Sequence, residues 1–161
     1  MEYLIDGYNV IKSSFLGKKG DIEGKVAFYE ILDRYKAKHP SVIFTVVLDG
    51  FNPSDIHLLR DRRLRTVFSG DITADEYIRK RVEKGKRNDE VIVVSDDKQV
   101  QITGKLFGCK VCSVGEFLNV VYERGKSRKR EKTEESDKKE VNYKTKKKIE
   151  EELKKYYEKK Y

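Results

Sequence analysis

Short apolar runs alternate along the chain with segments in which apolar residues recur every three or four positions. The runs are typical of strands buried in a sheet, and the periodic segments are typical of amphipathic helices. Five strands are predicted, at Tyr3–Asp6, Ser41–Leu48, Arg65–Ser69, Glu90–Ser95 and Lys110–Ser113. Because helical segments separate most of these strands, the pattern predicts an α/β sandwich around a mostly parallel five-stranded sheet.

Helical spacing predicts the elements that cover this sheet. They are expected at Asp21–Lys38, within Asp71–Lys86, at about 97–107 and at Glu116–Tyr122. Thr73 and Glu76 fit a capping box at the start of the second helix, with Thr73 as the N-cap. The apolar residues of the third helix are predicted to face the core: Val100, Ile102, Leu106 and Phe107. The polar, turn-rich segment 51–63 gives no periodic pattern.

Charge divides the chain into a body and a tail. The 161 residues carry a net charge of +8, but residues 1–124 hold 21 Lys and Arg against 19 Asp and Glu, whereas residues 125–161 hold 15 against 9. We therefore expect one domain at 1–124, a charged flexible linker at 125–141 and a basic amphipathic helix at 142–161. The apolar stripe of that helix is Ile149, Leu153, Tyr156 and Tyr157.

A basic tail indicates a polyanionic partner, with nucleic acid favoured over anionic lipid. The same tail is also compatible with a solubility appendage, or with a helix that docks on its own body. The apolar runs are too short to span a bilayer, and the N-terminus lacks the features of a signal peptide. We expect a cytoplasmic protein without a membrane partner.

The two cysteines, Cys109 and Cys112, form a single C-x-x-C pair in a predicted strand. Residues three apart on a strand point to opposite faces, so the pair does not suit a redox motif, which opens a helix. One pair also falls short of a four-ligand zinc site, because His39 and His57 are far away in sequence. Both cysteines are predicted to be small core residues in a reducing compartment.

Acidic residues stand at the ends of the first, second and fourth predicted strands. Others lie in the first turn of the helix that follows the third strand. Together with one nearby amide they are Asp6, Asn9, Asp49, Asp75, Glu76, Asp96 and Asp97. Each alone is compatible with a cap or a turn residue. The carboxyl ends of parallel strands meet at one edge of a sheet, so we expect these side chains to gather there. Gathered carboxylates repel one another unless cations neutralise them.

A cluster of oxygen ligands without paired His or Cys indicates Mg²⁺ or Mn²⁺. Such ions, held by carboxylates with open coordination positions, suit the hydrolysis of phosphodiester bonds. The sequence carries neither G-x-G-x-x-G after the first strand nor a P-loop, so no small-molecule cofactor is expected. It also lacks G-x-S-x-G, and no side-chain nucleophile is predicted.

Six segments of the first 124 residues resemble, in order, the motifs of the YacP-type NYN-domain proteins, which belong to the PIN-like nuclease superfamily. They are Leu4–Ile11, Val46–Gly50, Val67–Ser69, Thr73–Ile78, Val93–Gln101 and Gly115–Phe117. The resemblance implies a PIN-like three-layer sandwich and a metal-dependent endoribonuclease.

By position, the resemblance assigns metal binding and catalysis to Asp6, Asp75 and Asp96. It gives supporting roles to three residues near them, and the strand-end pattern adds a fourth: Asn9, Glu76, Asp97 and Asp49. Some characterised relatives associate with ribosomes and cleave mRNA as it is translated. The resemblance therefore implies RNA, and mRNA in particular, as the substrate; the ribosome, reached through the basic tail, is a further expected partner.

A basic rim beside the acidic edge is predicted to bind RNA phosphates. Its members lead up to and into the third strand, or lie along and after the helix that carries Asp75: Arg60, Arg62, Arg63, Arg65, Arg79, Lys80, Lys84, Lys86 and Arg87. Each alone is equally compatible with a solvated surface. Tyr8 is predicted to stack on a base or, alternatively, to belong to the core.

Two other functions stay open: a catalytically silent RNA- or ribosome-binding module, and a PIN-like nuclease that acts on DNA. Against the first, every acidic motif position holds an acid. The second usually needs large helical insertions, for which the chain is short. A haloacid-dehalogenase-type phosphatase needs an Asp where Tyr8 stands, and a receiver domain needs one where Ser69 stands.

Overall fold

The computed structural model describes residues 1–53, 55 and 64–123, which contain a five-stranded, all-parallel sheet. The strands are β1 (Glu2–Asp6), β2 (Ile43–Leu48), β3 (Arg65–Phe68), β4 (Val91–Val94) and β5 (Lys110–Cys112). Their order across the sheet is β3-β2-β1-β4-β5. Every strand lies within two residues of its predicted bounds, and the α/β prediction is confirmed.

Helices cover both faces of the sheet in a three-layer arrangement. On one face lie α1 (Gly7–Ser13), α2 (Asp21–Lys38) and α5 (Val114–Glu123), and on the other α3 (Ala74–Glu83) and α4 (Lys98–Leu106). Two 3₁₀ turns, Phe15–Lys19 and Asn88–Glu90, complete the described elements. The sequence did not predict α1, because a helix of seven residues is too short to show a periodic pattern. None of the described helices is long and apolar enough to cross a membrane.

The central strands send alternate side chains into two cores. On β1, Tyr3 and Ile5 join the core under α1, α2 and α5, whereas Leu4 joins the core under α3 and α4. On β4, Val94 lies in the first core and Val93 in the second. The sheet is therefore buried on both faces, as the unbroken apolar runs predicted.

Two apolar side chains of α4 face solvent, and the prediction that they face the core is wrong. Ile102 is 59% exposed and Leu106 is 76% exposed. The helix instead turns Val100 and Gly104 to the sheet. A β-carbon at Gly104 would lie only 3.1 Å from Val111, so the helix approaches the sheet at its glycine. Residues two positions from that line point away from the sheet, since each residue turns a helix by about 100°.

The two cysteines lie on opposite sides of the sheet as free thiols, as predicted. Cys109 belongs to the core under α3 and α4, and Cys112 packs against the other core. Burial raises the pKa of the Cys112 thiol to about 11 and also raises the pKa of Cys109. A thiol that stays protonated at neutral pH is a poor nucleophile, which agrees with a packing role.

Some predicted features fall outside the described residues. They are the linker at 125–141, the helix at 142–161, and the arginines Arg60, Arg62 and Arg63.

Candidate active site

The strand order marks one place on the sheet edge as a ligand crevice. From β1 the chain passes to β2 on one side, whereas from β4 it passes to β5 on the other, and β1 and β4 are neighbours. Open α/β sheets bind their ligands at the carboxyl ends of such diverging strands. Asp6 ends β1, and residues 95–97 follow β4, so the predicted acids border this crevice.

Asp6 is buried at the carboxyl end of β1, with only 5% of its surface exposed. Its Oδ1 accepts a hydrogen bond from the Asn9 N–H at 2.9 Å and thereby caps α1. The helix starts directly after the strand because Gly7 lies against β2. A β-carbon at Gly7 would stand 2.8 Å from side-chain atoms of both Val46 and Leu48. The glycine thus allows the strand-to-helix turn that holds Asp6 at the edge.

Asp75 reaches Asp6 from the first turn of α3. Asp49, which follows β2, holds the start of that helix, because its Oδ1 accepts the Ala74 N–H at 2.6 Å. The carboxyl groups of Asp75 and Asp6 lie close enough for each to shift the pKa of the other. Three acids from three separate segments therefore meet, as the strand-end pattern predicted.

The crowding of acids changes their protonation. Burial raises the pKa of Asp6 to about 7; the Asn9 N–H opposes this shift, and the carboxyl of Asp75 and the charge of Asp49 add to it. Burial also raises the pKa of Asp75, with further contributions from the charges of Asp97 and Asp49. Near neutral pH, protonation of Asp6 therefore offsets part of the repulsion. A divalent cation can take the place of that proton, so this donor set fits a metal ion.

The third predicted metal-binding acid, Asp96, is oriented differently. It is exposed, and its Oδ1 accepts the Val114 N–H at 2.9 Å, at the start of α5. Among the described residues, no three His, Cys, Asp or Glu side chains form a ready metal-binding group. Mg²⁺ commonly keeps several waters and binds through only one or two carboxylates. A ligand role of Asp6, Asp75 and Asp96 therefore stays a prediction.

Ser95 links the two sides of the crevice, although it was not among the predicted site residues. It is fully buried, and its hydroxyl donates to Asp6 Oδ2 at 3.5 Å and accepts the Asp97 N–H at 3.1 Å. Asp97 in turn caps α4 by accepting the N–H groups of Gln99 and Val100 at 2.7 and 3.2 Å. A hydroxyl residue between a buried strand and two acids is the sequence signal that marks this position.

Asn9 and Tyr8 lie on the first turn of α1, next to Asp6. The side-chain oxygen of Asn9 accepts the Asp96 N–H at 2.9 Å, which gives its predicted supporting role a geometric basis. Tyr8 is 45% exposed, which excludes the alternative that it belongs to the core. The Lys12 ammonium lies 5.0 Å from the centre of the Tyr8 ring, within the range of a cation–π contact.

Glu76 is directed along α3. Its carboxylate pairs with Lys80 at 2.8 Å, and the hydrogen bond and charge of Lys80 lower its pKa. Its N–H donates to Thr73 Oγ1 at 3.2 Å, which confirms Thr73 as the N-cap. The carboxylate of Glu76 thus has a partner on its own helix.

Much of the predicted basic rim lies away from the acids. A helix that follows a parallel strand runs back across the sheet, so α3 starts at the carboxyl edge and ends at the amino edge. There, Arg81, Lys86 and Arg87 line a pocket of about 300 Å³ beside the first residues of β1 and β4. Arg65 starts β3 and lies toward the same edge.

Arg79 and Lys80 lie in the middle of α3, between the carboxyl and amino edges of the sheet, and both are exposed. Lys84 comes directly after the last residue of α3. A rim next to Asp6 therefore does not include Lys84, Lys86 or Arg87. Binding of RNA by any of these side chains stays a prediction.

Comparison with known proteins gives one family and one fold. The chain matches the YacP-like NYN domain over residues 3–159. It is similar in structure to Rae1 (YacP) from Bacillus subtilis, with a TM-score of 0.61 and 20% identity over 99% of this chain and 92% of that chain. A mutant of Rae1 gives the same TM-score and identity over 77% of each chain. No curated protein matches the chain.

The family match extends beyond the region where the sequence motifs were recognised. Those motifs lie in residues 1–124, whereas the match continues to residue 159 and includes almost all of the basic tail. Because it spans nearly the whole sequence, the chain belongs to the YacP-like NYN domain family.

Proposed function

We propose that the chain is a divalent-metal-dependent endoribonuclease that hydrolyses phosphodiester bonds in RNA. The observation that carries this proposal is the proximity of Asp6 and Asp75, whose carboxyl groups shift each other's pKa where β1 ends and α3 begins. Membership of the NYN family supports a nuclease-type function on RNA. The substrate is RNA, with mRNA on the ribosome as the expected natural form, and the site of action is the cytoplasm.

In this proposal Asp6 and Asp75 hold the ion, and Asp96 borders the same crevice. A bound Mg²⁺ or Mn²⁺ supplies Lewis acidity toward the phosphate and lowers the pKa of a bound water. The protein residues supply charge and position. Asp6 gives up its proton, and the N–H of Asn9 favours the resulting carboxylate.

The residues around this pair fix its geometry. Asp49 holds the helix that carries Asp75, and Ser95 holds the second carboxylate oxygen of Asp6. Positioning of this kind is the main contribution a protein makes to phosphodiester hydrolysis when no side-chain nucleophile takes part.

Labelled single-stranded RNA and DNA of the same sequence, each incubated with Mg²⁺, with Mn²⁺ and with EDTA, test the proposal. We expect cleavage of RNA alone, dependent on the metal and lost in Asp6→Asn and Asp75→Asn. Asp89→Asn is the matched control, because Asp89 is exposed and stands just before β4, at the amino edge. Cleavage of DNA would identify the DNA nuclease, and binding of RNA without cleavage in either metal would identify the silent module.

A further inference from the structure

An exposed aromatic ring follows β2, at the same edge of the sheet as the acidic cluster. Phe51 is 57% exposed and follows β2 by three residues, two positions after Asp49. Four other phenylalanines are buried in the cores: Phe15, Phe28, Phe44 and Phe117. Because β1 and β2 are neighbours, Phe51 and the exposed Tyr8 follow adjacent strands at the edge where Asp6 lies.

The turn that carries Phe51 is held in place by its neighbours. The ring of Phe51 meets the ring of Phe68 edge-on, with their centres 5.2 Å apart and their planes at 82°. Gly50 has a φ of 58°, and its N–H donates to the Ser69 hydroxyl at 3.2 Å. The Ser69 N–H donates in turn to the carbonyl of Leu48 at 2.9 Å. The chain thus supports one side of the ring while most of its surface stays in contact with water.

The chemistry of this location favours one kind of ligand. Asp49 stands two residues before Phe51 and Asp6 ends the neighbouring strand, so this edge is acidic and the ring is not suited to a free anion. An unpaired base has an uncharged π-face that stacks on an aromatic side chain, and its own phosphate extends toward the metal-binding acids. The bases of a duplex are stacked on one another and do not offer that face.

We propose that Phe51, supported by Phe68, is a stacking platform for the base of an unpaired nucleotide next to the cleaved phosphate. The proposal rests on the proposed ribonuclease function and adds a substrate subsite to it. Phe51 is then a specificity residue, because it selects single-stranded over base-paired RNA. Tyr8 offers a second ring on the adjacent strand.

The test is a set of cleavage rates in which the ring and the base are removed separately and together. Single-stranded RNA oligonucleotides, each lacking one base at a different position around the cleaved bond, are compared with the intact oligonucleotide. At one position we expect the missing base to lower kcat/KM of the unsubstituted protein roughly tenfold. Phe51→Ala should cause a similar loss on intact RNA and little further loss on that abasic RNA.

Three further variants separate stacking from packing. Phe51→Leu keeps an apolar contact with Phe68 but lacks a ring, so it should behave like Phe51→Ala. Phe51→Tyr should retain the wild-type rate. Leu106→Ala removes a side chain that is also exposed, at the far end of α4, and should leave all rates unchanged.

The outcomes distinguish this proposal from the one on which it rests. If the unsubstituted protein cleaves RNA but Phe51→Leu cleaves it equally well, the platform is wrong and the ribonuclease function stands. The platform would also be overturned if, at every abasic position, the loss in kcat/KM from Phe51→Ala and the loss from the missing base simply multiplied. If the unsubstituted protein cleaves no RNA, the proposed function fails and the platform fails with it.

Discussion

Asn9 joins the carboxyl ends of two neighbouring strands, because its side-chain oxygen accepts the backbone N–H of Asp96 at 2.9 Å. Its own N–H donates to Asp6 at the end of β1, so one residue contacts both borders of the crevice. The amide oxygen accepts a hydrogen bond without adding another negative charge. Asparagine therefore suits this position better than aspartate, which would raise the pKa of Asp6 further.

Asn9→Ala should lower kcat/KM roughly 10- to 100-fold, because residue 96 loses its hydrogen bond to α1 and small displacements of catalytic groups are costly. Stability should change by only about 1 kcal/mol, since one partly exposed hydrogen bond is lost. Asn9→Asp keeps the acceptor but adds charge, so its activity should require a higher pH. Cleavage rates against pH, together with urea unfolding, check this prediction. An Asn9→Ala enzyme with the wild-type rate would show that the link is not needed for catalysis.

A buried ion pair anchors the segment after β2. The Lys25 ammonium donates to both carboxylate oxygens of Asp55, at 3.0 and 3.1 Å, and to Asp21 at 3.0 Å. Asp55 is only 3% exposed and Lys25 only 8%. Although burial lowers the pKa of Lys25, its hydrogen bonds to the two carboxylates raise it more.

Asp55→Ala should destabilise the fold by about 3 kcal/mol, because it leaves a buried ammonium with one exposed partner. The double variant Lys25→Met with Asp55→Leu removes both charges, so its loss of folding stability should be much smaller. Urea unfolding of the three proteins measures the difference. Equal losses in the single and double variants would mean that the charges themselves contribute little.

The sequence was sufficient to predict all five strands. The three central ones, β1, β2 and β4, are buried on both faces and appear as apolar runs, whereas the edge strands β3 and β5 are short and partly exposed. It failed for α1 and for the orientation of α4. The first helix has seven residues, too few for a periodic signal, and depends on the contact of Gly7 with β2. The second turns Gly104 toward the sheet, whereas a pattern of apolar residues alone directs Ile102 inward.

The acidic site was only partly predictable. That Asp6, Asp49 and Asp75 meet follows from strand ends and a helix start, which the sequence marks clearly. The role of Ser95 does not. The sequence shows a hydroxyl between a buried strand and two acids, but the hydrogen bond from Ser95 to Asp6 depends on the pairing of β1 with β4. The position of Lys86 was also missed, since its distance from Asp75 depends on the direction of α3 across the sheet.

Removal of residues 125–161 should alter either RNA targeting or stability. The family match continues to residue 159, which indicates that the tail is part of the domain family and not an unrelated extension. If the tail tethers the protein to a large RNA surface such as the ribosome, the shortened protein should keep its rate on a short naked RNA. It should then lose association with ribosomes, because a tether raises local concentration without changing the chemistry.

If instead the tail docks on its own body, the shortened protein should melt at a lower temperature and lose activity on short RNA as well. Ribosome co-sedimentation, thermal melting and cleavage of a short RNA separate the two cases. A protein unchanged in all three measurements would contradict both and favour a solubility role.

Asp6→Asn should abolish cleavage and stabilise the metal-free protein above neutral pH. The pKa of Asp6 is about 7 in the folded chain against an ordinary value of 3.8, so the folded state holds this proton more tightly than the unfolded state. The resulting stability is complete below about pH 4 and is lost as the pH rises through 7. Asparagine still accepts the Asn9 N–H but carries no charge. We expect a gain on the order of 2 kcal/mol at pH 8 in EDTA and almost none at pH 4.

Urea unfolding at the two pH values measures this difference, and Asp89→Asn, at an exposed acid, is the control. A variant less stable than the wild type at pH 8 without metal would show that Asp6 is not under electrostatic strain.

The raised pKa of Asp6 should also couple metal binding to pH. The ion requires the ionised carboxylate, so protons compete with it below about pH 7. Higher Mg²⁺ should therefore move the acid limb of the rate profile to lower pH, by up to about one unit for each tenfold increase. Asp49→Asn still accepts the Ala74 N–H but removes one of the charges that raise the pKa of Asp6, so it should move the limb in the same direction at constant Mg²⁺. Rate profiles at several Mg²⁺ concentrations test both effects. If the acid limb of the rate profile stays at the same pH in every case, it reports the ionisation of a group other than Asp6.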